Sequence, residues 1–143
     1  MTVKIVIGLA CAGKSTFIKN NFPNSTVVDI FDFQEHARST EDIWQSYIAA
    51  KDVLIKAIKA GDEVVLEHTL LRAIRREMYI DAIKSVTDEP IDIYVVNPSP
   101  DIIQERSEKR GCPYHKGEVE EALKVLEIPT KEEGFNNVYI IEE

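Results

Sequence analysis

The sequence predicts an α/β fold: a parallel sheet of about five strands sandwiched by helices and bearing a phosphate loop on its first strand. Three observations carry this. Short β-branched runs alternate with helical patterns along the whole chain, which implies crossover connections and a parallel sheet. The first run, Val3-Lys4-Ile5-Val6-Ile7, feeds directly into Gly8-Leu9-Ala10-Cys11-Ala12-Gly13-Lys14-Ser15-Thr16, which has the spacing G-x-x-x-x-G-K-[ST]. A third strand pattern, Val64-Val65-Leu66-Glu67, ends in a carboxylate. Ligand is therefore expected over the carboxyl edge of the sheet, where the loop lies.

The residue types suit the chemistry of that loop. Gly8 and Gly13 allow backbone N–H groups to converge into an anion-binding concavity, with Ala10, Cys11 and Ala12 completing its rim. The helix opening at Lys14-Ser15 adds its N-terminal partial charge, and Thr16 continues it. Lys14, expected at an exposed loop edge, is placed to reach nucleotide phosphates, and Ser15 to offer its hydroxyl to Mg²⁺.

In chain order, residues 15–21 read as a short helix stopped by Phe22-Pro23-Asn24. Residues 26–30 read as a strand. Asp32 and Glu35 have capping-box spacing for a helix start, although Asp32 also sits where a general base is needed. Asp29 interrupts an apolar strand and is the other candidate. Residues 41–60 form a long helical pattern ended by Gly61, in which Trp44 and Tyr47 read as core positions. Glu67 closes its strand as an expected Mg²⁺-linked carboxylate, alternatively paired with a nearby arginine. A helix over 71–85 carries Arg72, Arg75 and Arg76, read as a solvated face from which one arginine meets a substrate phosphate. Residues 91–96 are a strand and 101–110 a charged helix, with Arg106 and Arg110 on one face. A Gly- and Pro-bounded loop follows, so residues 106–117 read as a lid. Residues 119–126 are a last helix and 137–141 a last strand, with Glu142-Glu143 a solvated end.

The chain has 143 residues, 44% hydrophobic and 29% charged, which is the size and composition of one globular domain spanning 1–143. A net charge of -8 argues against a broad duplex-binding face. No run is long and apolar enough for a membrane span, and no signal-peptide pattern opens the chain, so a cytoplasmic location is expected. Cys11 and Cys112 match no metal or disulfide spacing. The histidines His36, His68 and His115 share no ligand spacing either.

With these residues placed, the chain resembles small P-loop kinases, and among them the kinase domain of bacteriophage-type polynucleotide 5′-hydroxyl kinases. The likeness rests on residues 64–71 followed by Arg75-Arg76, on Asp101 to Gly111 with Arg106 and Lys109-Arg110-Gly111, and on Pro129 with Glu133-Gly134-Phe135. It departs at His68 and Leu70, where that family has Asp and Asn, and at Phe31, where the first Asp of its base motif stands. The resemblance implies ATP- and Mg²⁺-dependent transfer to an acceptor hydroxyl. It puts a polynucleotide 5′-OH first, with Arg106 and Arg110 stabilising the transferred group and Asp32 as base, seconded by Asp29. A nucleoside, nucleotide or other small hydroxyl compound is the alternative acceptor. A non-catalytic nucleotide-binding switch is the other class.

Overall fold

The computed structural model describes residues 1–142; Glu143 lies outside the described residues. Five strands form one all-parallel sheet: β1 (Val3–Ile7), β2 (Thr26–Asp29), β3 (Val64–His68), β4 (Ile91–Val96) and β5 (Asn137–Ile141), in the order β2-β3-β1-β4-β5. The helices are α1 (Lys14–Asn21), α2 (Thr40–Lys59), α3 (Ala73–Val86), α4 (Pro100–Lys109) and α5 (Glu118–Leu123). Because β1 lies between β3 and β4, its carboxyl end opens where the winding reverses, and the phosphate loop emerges there.

Alternation along the strands sorts side chains to two cores. Ile5, Ile7, Leu66 and Ile93 face α2 and α3, where Leu54, Tyr79 and Ile83 are buried. Val6, Val65 and Val96 face the other way, against Ile18 of α1, Ile103 of α4 and Val119 of α5. Glu67 follows Val65 by two residues and shares its face, which is the face of the phosphate-loop helix.

Several expectations need correction. The second strand stops at Asp29 instead of running to Ile30, because the Asp29 carboxylate accepts the Phe31 N–H at 3.0 Å and turns the chain into a 3₁₀ segment, Ile30–Phe33. No capping box forms at Asp32 and Glu35; the helix starts later, at Thr40, with Ser39 accepting the Asp42 N–H. Trp44 is not a core residue: it is 47% exposed, and only Tyr47 packs on the apolar cluster. The third helix begins at Ala73 because Leu70 adopts a positive φ of 38° and Arg72 stays extended. The fifth spans Glu118–Leu123, ending earlier than its apolar pattern suggests.

The largest correction concerns Arg76. It is fully buried, 0% exposed, and belongs to no solvated face. Its guanidinium donates twice to the Glu133 carboxylate (2.9 and 3.0 Å) and once each to the carbonyls of Leu70 (2.8 Å) and Glu127 (3.0 Å). A planar fork with several donors is what such a convergence requires. It fastens the turn after β3 to the segment that leads into β5. No helix is long and apolar enough to cross a membrane among the described residues.

Candidate phosphate-binding cleft

The loop between β1 and α1 gets its shape from two glycines and one strained residue. Gly8 has φ +151°, and a Cβ there would lie 2.5 Å from the Val96 carbonyl oxygen, so only glycine fits. Gly13 has φ +106° and caps α1, with the Arg106 guanidinium directly over it. Between them Cys11 holds φ +70°, a left-handed conformation uncommon for a non-glycine residue. The turn between them is closed by the Ala12 N–H, which donates to the Leu9 carbonyl at 3.1 Å.

Lys14 departs from the expected exposed position. It is 6% exposed, and its ammonium folds back to donate to the carbonyls of Gly8 and Leu9, each at 2.8 Å. Burial lowers its pKa from 10.5 to about 8, against the opposing attraction of Glu67 and Asp29. Ser15 donates its hydroxyl to Glu67 at 2.8 Å, bringing a hydroxyl and a carboxylate oxygen together at the helix start. Burial pushes the Glu67 carboxyl above its ordinary range, partly offset by the Ser15 hydrogen bond.

These residues line an open cleft of about 950 Å³. Its floor is residues 10–17 of the loop and α1. One wall is Asp29, Phe31 and Glu67; the other is Arg106, Lys109 and Arg110 from the end of α4. Asp29 and Glu67 are register partners on β2 and β3, which sets both carboxylates on the same face of the sheet. Burial raises the Asp29 pKa, with the Phe31 N–H pulling the other way. Asp32 is not on this wall. It lines a separate shallow hollow of about 340 Å³ with Glu35, His36 and Asp42.

The α4 side approaches the loop closely. Arg106 donates to the Ala12 carbonyl at 2.6 Å, and Arg110 lies 3.5 Å from the Cys11 sulfur. Neither guanidinium pairs with a carboxylate among the described residues. Both cysteines are free thiols. His68 stays out of the cleft: it lies beneath Phe31 (ring centroids 4.2 Å apart), and burial lowers its pKa to about 4, so the ring is neutral.

Two residues escape the sequence reading. Phe31, 41% exposed, forms part of the cleft wall beside Asp29. Tyr114, in the loop after α4, donates its hydroxyl to the Ala10 carbonyl at 2.8 Å. An aromatic residue between Pro113 and Gly117 was the available signal, but its partner is 104 positions away.

A five-stranded parallel sheet of this order, with its phosphate loop between β1 and α1, is a P-loop kinase-type fold. A family model described as an AAA domain, AAA_33, matches residues 3–127, and the chain belongs to that family. No curated protein matches the sequence significantly. Among solved structures, a sugar kinase from Janibacter sp. HTCC2649 superposes with a TM-score of 0.69 at 15% identity, covering 99% of this chain and 86% of that one. A gluconokinase from Sinorhizobium meliloti 1021 gives 0.68 at 15% identity, over 99% and 82%. A chain of the Pnkp1/Rnl/Hen1 RNA repair complex gives 0.73 at 18% identity, over 87% of this chain and 43% of that one. At such identities the likeness establishes the fold, and the family implies nucleotide binding.

Proposed function

We propose that the protein transfers the γ-phosphoryl group of ATP to an acceptor hydroxyl, with a polynucleotide 5′-OH as the first candidate acceptor. The observation that carries this reading is the placing of a half-buried carboxylate, Asp29, in one cleft with a phosphate loop, its lysine and two arginines that pair with no carboxylate among the described residues. The phosphate loop and Lys14 bind the β- and γ-phosphates. Ser15 and Glu67 would hold Mg²⁺: a hydroxyl and a carboxylate suit this hard cation, which takes its remaining ligands from phosphates and water. The ion supplies charge neutralisation of the phosphates.

In the transfer, the acceptor oxygen forms the new O–P bond as the bond from the γ-phosphorus to the ADP oxygen breaks. The acceptor proton passes to Asp29. A raised pKa brings a carboxylate closer to the operating pH, which suits a base that must hold that proton in the transition state. Placement on the cleft wall favours Asp29 over Asp32. Asp29→Asn is expected to lower the transfer rate by about 10²–10⁴-fold while nucleotide affinity holds. Asp32→Asn is expected to stay within a few-fold of wild type. Measured single-turnover rates showing the opposite order would transfer the base to Asp32.

Arg106 and Arg110 act on the transferring group. Swinging from a carbonyl and a thiol to an anion strengthens their hydrogen bonds as charge develops. Removing either by substitution with alanine is expected to lower kcat more than it raises the ATP Kd, by up to about 10³-fold. Steady-state kinetics beside calorimetric titration of ATP separates the two effects. An unchanged kcat in both variants would remove them from the transfer step.

A small uncharged hydroxyl compound is the second reading, and one observation favours it. The cations of the cleft lie on the loop and α4, whereas the wall of Asp29, Phe31 and Glu67 carries only carboxylates and an aromatic ring. That wall suits a neutral ring better than a phosphodiester. Radiolabelled ATP offered with 5′-hydroxyl DNA, 5′-hydroxyl RNA, a nucleoside panel and a sugar panel distinguishes the acceptors. No transfer to any of them, with nucleotide binding intact, would return the domain to the switch class.

A further inference from the structure

The loop after α4, expected to behave as a lid hinged at Gly111, is fixed to α4 at several points. Cys112 N–H donates to the Ser107 carbonyl at 3.2 Å, and Tyr114 N–H donates to the Ser107 hydroxyl at 3.2 Å. Gln104 returns a bond from its side-chain amide to the Tyr114 carbonyl at 2.8 Å. Ser107 is itself fully buried, and its hydroxyl both donates to the Gln104 carbonyl and accepts from Tyr114. Tyr114 therefore travels with the helix that carries Arg106 and Arg110. Its ring packs on the apolar cluster between the sheet, α1, α4 and α5.

The hydroxyl of that anchored ring donates to the Ala10 carbonyl. Burial raises its pKa further above the neutral range, which keeps it a donor. In a trans peptide the carbonyl and the next N–H point in opposite directions. Holding the Ala10 carbonyl toward Tyr114 thus turns the Cys11 N–H the other way. Ala10 and Cys11 border the cleft, and Tyr114 does not. The left-handed φ of Cys11 is a cost that this outward hold helps to sustain.

We infer that Tyr114 is a positioning residue for the phosphate loop: its hydroxyl fixes the peptide plane of residues 10–11 so that the Cys11 N–H faces the phosphates. It also sets the loop in register with the α4 arginines. The consequence for catalysis rests on the kinase reading above; the consequence for the loop does not. Neither Arg106 nor Arg110 can substitute for it, since they touch the next two residues, Ala12 and Cys11, from the cleft side.

Tyr114→Phe keeps the ring, its packing and both backbone anchors, and removes one donor. Hydrogen exchange of the nucleotide-free protein is expected to quicken at residues 10–13 while β1 and α4 stay unchanged. ADP with Mg²⁺, titrated calorimetrically, is expected to bind about 3- to 10-fold more weakly. In the transfer assay kcat should fall with the acceptor KM unchanged. Exchange at residues 10–13 equal to wild type would overturn the inference, and so would unchanged ADP affinity in a wild-type protein that binds ADP. Should wild type bind no ADP, the nucleotide reading itself fails, and the exchange comparison still decides the role of Tyr114.

Discussion

Replacing Lys14 with methionine should abolish phosphoryl transfer and leave the empty protein more stable. The ammonium is 6% exposed, and desolvation is the largest influence on it, outweighing the attraction of Glu67 and Asp29. Methionine keeps the unbranched stem without the buried charge. A shift from 10.5 to about 8 corresponds to an upper bound of about 3 kcal/mol. The Gly8 carbonyl loses its donor, whereas the Leu9 carbonyl keeps the Ala12 N–H at 3.1 Å, so the net gain should be about 1–2 kcal/mol. Transfer should fall by about 10³-fold or more, because the charge that meets the phosphates is gone. Chemical denaturation of the nucleotide-free variant beside a transfer assay tests both halves. A destabilised variant would show that the carbonyl bonds outweigh desolvation.

The same group fixes a pH dependence in the wild type. Below about pH 8 the lysine is charged in both folded and unfolded chains and adds no slope. Between about 8 and 10.5 the unfolded chain keeps a proton that the folded one has released, so rising pH favours folding. Stability should therefore climb through that window in wild type relative to Lys14→Met. Parallel curves would place the lysine's folded pKa at its ordinary value.

The second large effect lies away from the cleft. Arg76→Met leaves the Glu133 carboxylate, 16% exposed, without its partner and two carbonyls without a donor. The expected loss is about 3 kcal/mol, since breaking one side of a buried pair is worse than never having had it. Removing both charges, as Arg76→Met with Glu133→Leu, should recover a third or more of that loss. Equilibrium unfolding of the two single variants and the double variant gives the coupling directly. A double variant no more stable than Arg76→Met would make the carbonyl bonds, and not the ion pair, the main contribution.

What could be read from the sequence follows from how local each feature is. The five strands and the phosphate loop were legible because β-branched runs and the spacing of Gly8, Gly13, Lys14 and Ser15 act over a few residues. Glu67 was legible as an acid at the end of an apolar strand beside the phosphate loop, although β3 runs on to His68; its hydrogen bond from Ser15 at 2.8 Å was not legible. Helix ends were less legible, since they are decided by single bonds such as Ser39 to Asp42 and by the positive φ of Leu70.

The environment of each charge was decided only by the tertiary structure. Asp29 and Asp32 are three residues apart and alike in type, yet register against Glu67 sets one on the cleft wall and a 3₁₀ turn carries the other to a separate hollow. Arg75 and Arg76 are neighbours of the same type, yet one is exposed and the other is the most deeply buried cation of the chain among the described residues. Trp44, apolar and in helical register, remains half in solvent, whereas Tyr47, three residues on, turns to the apolar cluster. Sequence fixes which groups can bond; burial, which sets their charge and strength, depends on partners 50 to 100 positions away, such as Glu133 for Arg76 and Ala10 for Tyr114.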